Sequence, residues 1–236
     1  MDRGSPIAAG YTLVMAMTAA EVGAALDALA DPRILAVNEK HGDDHAVNLT
    51  KLRAVAKEAG RDEALARELW ASGDTARRLV ALLVARPKDF SEDELDEMLR
   101  DARVPKVQDW LVSYIVMKGP HAEALRERWF DDPDPVVAAA AWDLTTQRVR
   151  KQRADGLPLE ALLEQIDASI VAAPDRLQWA MNFAMGEIGI NHAPLRERVL
   201  EMGERLGVLR DYPTPPGCVS PYVPLWVPEM VRRAEG

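Results

Sequence analysis

PKVQDWLVSYIV, residues 105–116, decides how this chain is read. Its apolar residues recur at three and four, which predicts a helix, and Pro105 suits the first turn. Asp109, beside Trp110, is out of place if the helix is only core. A carboxylate there needs a partner or faces something other than core. Val107, Trp110, Leu111, Tyr114 and Ile115 share one broad helical face. Gln108, Asp109, Val112, Ser113 and Val116 lie on the other side. Asp109 and Ser113, one turn apart, point the same way.

The same arrangement returns further on. PDRLQWAMNFAM, from Pro174, aligns Gln178 with Asp109, Trp179 with Trp110, Asn182 with Ser113 and Phe183 with Tyr114. DPVVAAAAWDLTT, from Asp134, is a looser third copy with Trp142–Asp143 displaced along the helix. Repetition of a polar–Trp–x–x–polar–aromatic helix after a proline predicts stacked helical pairs, in which inner helices line a concave groove. The expected fold is all-α, a HEAT-like repeat α-solenoid of antiparallel helix pairs. Period-two alternation and hairpin turns are nearly absent. Helices are predicted over 18–30, 32–41, 48–59, 62–71, 74–86, 91–102, 105–118, 120–130, 134–150, 158–172, 175–189, 193–206 and 221–234. Thr18 with Glu21 and Ser91 with Glu94 spell capping boxes, and Pro135 suits a first helical turn. Three regions are expected: a loose tail over 1–17, the repeat domain over 18–206, and a Pro-rich strap with a last helix over 207–236 packing on that domain.

The 236 residues carry a net charge of −9 and a single cysteine, Cys218. The charge argues against a generally sticky nucleic-acid binder, because phosphate neutralisation needs Lys and Arg. It leaves room for a local basic surface. Arg148, Arg150, Lys151 and Arg153 form the densest basic run; Arg77–Arg78 and Lys51, Arg53 and Lys57 are smaller ones. One cysteine rules out an intrachain disulfide. Apolar runs are too short to span a bilayer, so no membrane association is expected. A monomeric cytoplasmic protein is expected, with Met15 or Met17 as candidate starts.

Other chemistry is thin. HGDDH (41–45) places two histidines four apart around carboxylates, but Gly42 and the Asp pair favour a helix-ending turn over a metal site. Cys218, in a Pro-rich loop, reads as a structural cysteine of the strap. Trp70, Trp129 and Trp226 read as core. No phosphate loop, dinucleotide fingerprint or nucleophile elbow is present, and neither a metal nor a cofactor is expected.

The order and spacing of AVNEKHGDDHAVNLTKLRAVAKE, ARELWASGDTARRLVALLVA, QDWLVSYIV, RWFDDPDPVVAAAAWDLT and LQWAMNFAMGEIG resemble the AlkD-like DNA alkylation repair family, over roughly residues 18–206. That resemblance implies a HEAT-like solenoid, double-stranded, damaged DNA as partner, and excision of cationic alkylated purines. In the family, an inner-helix aspartate stabilises positive charge on the sugar while tryptophans pack on the deoxyribose; a fixed carboxylate and aromatic faces suit such a transition state. The family's aspartate slot falls here on Ser113, the aromatic four residues earlier on Asp109, the second tryptophan slot on Phe183, and a basic slot on Ala138. A serine brings no negative charge. Asp109, one turn back, and Asp143, on the next inner helix, are therefore the candidate catalytic carboxylates. The expected DNA contacts are Trp110, Ser113, Tyr114, Trp142, Gln178, Trp179, Asn182 and Phe183 on inner helices, with Arg148 and Lys151 at the phosphates. The expected function is DNA binding of the alkylation repair type with excision of alkylated purines. The alternatives are a relative that binds distorted DNA without excision, and a helical-repeat scaffold that binds protein.

Overall fold

A computed structural model describes residues 17–151 and 153–235; the expected tail lies almost wholly outside them. Thirteen α-helices and no strand occur among the described residues. Their bounds follow the predicted spans to within a few residues, except that the helix from Pro105 is regular only as far as Trp110. None is long and apolar enough to cross a membrane. The chain forms two compact units, divided between Arg86 and Pro87.

The first unit contains α1 (Ala19–Ala28), α2 (Pro32–Asn38), α3 (Leu49–Ala59), α4 (Glu63–Ala71) and α5 (Thr75–Val84). The first helix starts at the expected capping box. Thr18 Oγ1 accepts from the Glu21 amide, and the Glu21 carboxylate accepts from the Thr18 amide at 2.8 Å. Asn48, Asp62 and Asp74 accept from first-turn amides of α3, α4 and α5, satisfying donors with no intrahelical partner. Val22, Leu26, Leu52, Leu69 and Leu79 are buried at the centre of this unit. HGDDH forms the expected turn: Gly42 has φ +79°, and the Asn38 side chain donates to the His45 carbonyl at 2.7 Å.

The second unit contains α6 (Glu92–Asp101), α7 (Pro105–Trp110), α8 (Ala122–Trp129), α9 (Pro135–Arg150), α10 (Leu159–Ser169), α11 (Asp175–Asn191), α12 (Arg196–Leu206) and α13 (Val223–Glu235). The long helices α9 and α11 pack side by side. Small residues allow it: Ala139 on α9 is buried in the same core as Ala180 and Ala184 on α11. Trp129 is fully buried and its indole N–H donates to Asp96 at 2.7 Å, so this large side chain fills core without orphaning its donor. Trp226 of α13 is buried over Gly186 of α11. Trp70 is only half-buried, with the Arg78 guanidinium 4.7 Å from its ring centroid.

One helix departs from the regular pattern. After Trp110 the chain runs through a π turn, Leu111–Ile115, then a 3₁₀ turn, Val116–Lys118. The Val116 amide reaches the Leu111 carbonyl, five residues back. Such a turn widens the helix and shifts later side chains around its axis. Val112 and Val116, expected on the polar side, are buried, and so is Gln108, whose amide donates to the Ala102 carbonyl at 2.6 Å. Asp109 and Ser113 keep the more open edge.

Candidate functional site

A cleft of about 620 Å³ opens in the second unit. Its walls include Asp109, Val112 and Ser113 from the π-containing helix, Asp143 from α9, and Asp175, Arg176 and Trp179 from the start of α11. Asp109 and Asp143, predicted as candidate carboxylates from separate helices, thus line one space.

Arg176 organises that space. Its Nη2 donates to Asp109 Oδ1 at 2.7 Å. Its Nε is buried with no hydrogen-bond partner among the described residues. Asp109 is the more exposed partner, at 55% against 26% for the arginine side chain. Asp143 differs from Asp109: among the described residues its carboxylate makes no hydrogen bond or ion pair. Burial raises its pKa to about 7; the Arg176 charge opposes this and Asp109 adds to it. The cleft therefore offers one arginine-paired carboxylate and one that exchanges its proton near neutrality.

Ser113, in the slot where the resemblance expects an aspartate, lines the cleft but donates its hydroxyl to the Asp109 carbonyl at 2.6 Å. Its proton is spent on its own helix. Trp179 is 36% exposed and forms part of the wall. Its other neighbours form an aromatic row: Phe183 at 5.1 Å, Tyr212 of the strap at 5.2 Å, and Trp226 beyond Phe183 at 4.7 Å.

Several expected contact residues lie elsewhere. Trp142 is 1% exposed and packs on Phe130, 4.9 Å away, so it is core and not groove. Asn182 is fully buried and donates to the Pro221 carbonyl at 3.0 Å, holding the strap. Trp110 is also buried, against Tyr114 at 5.1 Å. In each case the sequence pattern places the residue on the right helix, but neighbouring elements cover that face. Gln178 is half-buried and ties α11 to the Ile170 carbonyl at 2.9 Å. Tyr114 is half-buried beneath the Lys118 ammonium.

Arg148 and Lys151 border a separate cavity of about 130 Å³ with Arg126 and Arg153. Arg148 bonds Glu123 at 2.6 Å and the carbonyls of Arg153 and Asp155, so it closes a loop. Lys151 and Arg153 remain exposed. Cys218 is exposed too, which corrects its reading as a structural cysteine. Arg176 was not singled out from the sequence. It aligns with Val107 in the internal match, and only the packing of α11 beside the π turn pairs it with Asp109.

Fold and cleft define an all-helical repeat protein with a carboxylate–arginine–tryptophan cleft. A family model described as DNA alkylation repair enzyme matches residues 22–212, and the chain belongs to that family. No curated protein matches it. Among solved structures, one is similar at TM-score 0.75 and 21% identity, covering 92% of this chain and 95% of that one. It represents a new family of proteins related to the HEAT-like repeat DNA glycosylases with affinity for branched DNA structures. At that identity the likeness establishes a HEAT-like repeat fold.

Proposed function

We propose that this chain binds DNA whose duplex is distorted or branched, and that the Asp109–Arg176–Trp179 cleft meets the distortion. The observation that carries this is Trp179, an exposed ring beside an arginine on the wall of an open cleft. An unstacked base or exposed sugar offers a face to such a ring, and intact duplex does not. The family membership and the structural neighbour's affinity for branched DNA support it. The test is fluorescence anisotropy with a four-way junction and a linear duplex at ~50 mM salt. The junction binds more tightly, and Trp179→Ala weakens it by about 1–3 kcal/mol, the worth of one stacked base. Absence of binding to either DNA defeats the proposal.

A second reading, excision of alkylated purines, is favoured by one observation: on the cleft wall the Asp143 carboxylate makes no hydrogen bond or ion pair among the described residues. Ionised, it would stabilise positive charge as the C1′–N bond breaks and the base leaves with the electron pair. Water then adds at C1′ and loses a proton. Release of 7-methylguanine from duplex DNA measures it. Activity carried by Asp143 rises with pH through about 7 as the carboxyl ionises. Full activity in a combined Asp109→Asn/Asp143→Asn variant removes both carboxylates from consideration.

A further inference from the structure

The run LTKLRAVAKEAGR, residues 49–61, sets Lys51, Arg53, Lys57 and Arg61 against one carboxylate, Glu58. The cleft described above uses none of them. In the first unit Arg53, Lys57 and Arg61 border a shallow depression of about 350 Å³, with Ala56, Gly60 and Leu83 completing its lining. No carboxylate lines it, although the chain carries a net charge of −9.

The local structure explains how the three cations come together. Arg53 and Lys57 are one turn apart on the exposed side of α3, whose opposite face buries Leu52, Val55 and Ala59. The helix stops at Gly60, whose φ of +75° suits glycine and turns the chain so that Arg61 follows on the same border. Arg61 Nη1 donates to the Ala85 carbonyl at 2.9 Å, at the end of α5. One edge of that guanidinium is anchored, so little side-chain freedom remains to be lost when the depression is occupied. Lys57 has no ion pair among the described residues.

We infer that this depression binds backbone phosphates of DNA, independently of base sequence; the inference rests on the DNA binding proposed above. Three cations around a small apolar floor complement a sugar–phosphate strand. No aromatic, Asn or Gln side chain lines the depression to read or stack on bases. The contact therefore contributes equally on linear and branched DNA, leaving discrimination to the Trp179 cleft.

The test is the salt dependence of binding. Fluorescence anisotropy with a short labelled duplex and a four-way junction, from ~50 to ~200 mM salt, yields the slope of log K against log salt. Arg53→Gln/Lys57→Gln makes this slope shallower by about 2 on both DNAs, at slightly under one per phosphate contact. Should the double variant lose its helical circular dichroism, Lys57→Gln alone makes it shallower by about 1. Wild-type binding with an unchanged slope in the folded variant overturns the phosphate site but leaves the DNA-binding proposal standing. No wild-type binding to either DNA at ~50 mM salt overturns both.

Discussion

Asp143 holds its proton into the neutral range because burial on the cleft wall penalises its charged form, and Arg176 offsets that only in part. The consequence for stability has a definite sign. Unfolded, an aspartate titrates near ~3.9; folded, Asp143 titrates at about 7. Between those values the folded protein binds the extra proton, so stability falls as pH rises across the window. Asparagine has no charge to desolvate. Asp143→Asn is expected to melt with the wild type near pH ~4 and to gain stability progressively up to neutrality, reaching about 1–3 kcal/mol above it. Thermal melts across that range check this, and equal melting temperatures at every pH would falsify it. Asp109 is held by a different force. Its partner Arg176 is in place before any ligand arrives, so whatever displaces Asp109 must leave that arginine a new acceptor.

At the scale of elements, α11 is the hub. It packs against α9, α10, α12 and α13. Its pairing with α13 depends on Gly186: a Cβ there would lie 2.2 Å from a ring carbon of Trp226. That distance is far inside van der Waals contact, and the indole is a rigid plane wedged beside Phe183. Gly186→Ala is expected to expel the ring and destabilise the protein by about 1–3 kcal/mol, despite alanine's better helix propensity. Near-ultraviolet circular dichroism and a melt measure it; an unchanged aromatic spectrum with a raised melting temperature would show that α13 adjusts. The π turn is the other element that borders the cleft. Here Val112 and Val116 are buried, while Asp109 and Ser113 border the cleft. Nothing in LVSYI signals it, because the residues suit a regular helix equally well.

Over the whole molecule the titrating network is uneven. In the second unit, Asp132 and Glu123 are held below the ordinary carboxylate range by hydrogen bonds from Arg100 and Arg126. Burial pushes Asp96 the other way, but the bonds from Arg100 and Trp129 outweigh it and leave its pKa low. In the first unit a lowered carboxylate is Glu21, bonded to Thr18 at the start of α1. Depressed carboxylates stabilise the fold above their unfolded pKa, and that stability is lost as pH falls below about 4. Acid is therefore expected to loosen α6, α8 and the start of α9 before the core of α3 and α5. Hydrogen exchange at about pH 6 and pH 3 reports it, and protection lost first from α3 and α5 would contradict it. The excess of acidic residues has a second effect: it disfavours a polyanion everywhere except where cations outnumber acids.

The sequence by itself determined the thirteen helices, because apolar spacing, N-caps and first-turn prolines are local signals that tertiary packing here reinforces. It also determined the family, through the order of segments, and it named Asp109, Asp143 and Trp179 as cleft candidates. Tertiary structure alone decided which repeated positions stay open. Trp110 and Trp179 are equivalent in the internal match, yet the first is buried and the second exposed, because each helix has different neighbours. Asn182 aligns with Ser113, yet the strap closes over it through Pro221. The Asp109–Arg176 pair joins positions 67 residues apart, and Asp143's raised pKa follows from burial and the charges around it. A helix's periodicity says which faces differ; what covers each face depends on chain packed from far away in the sequence.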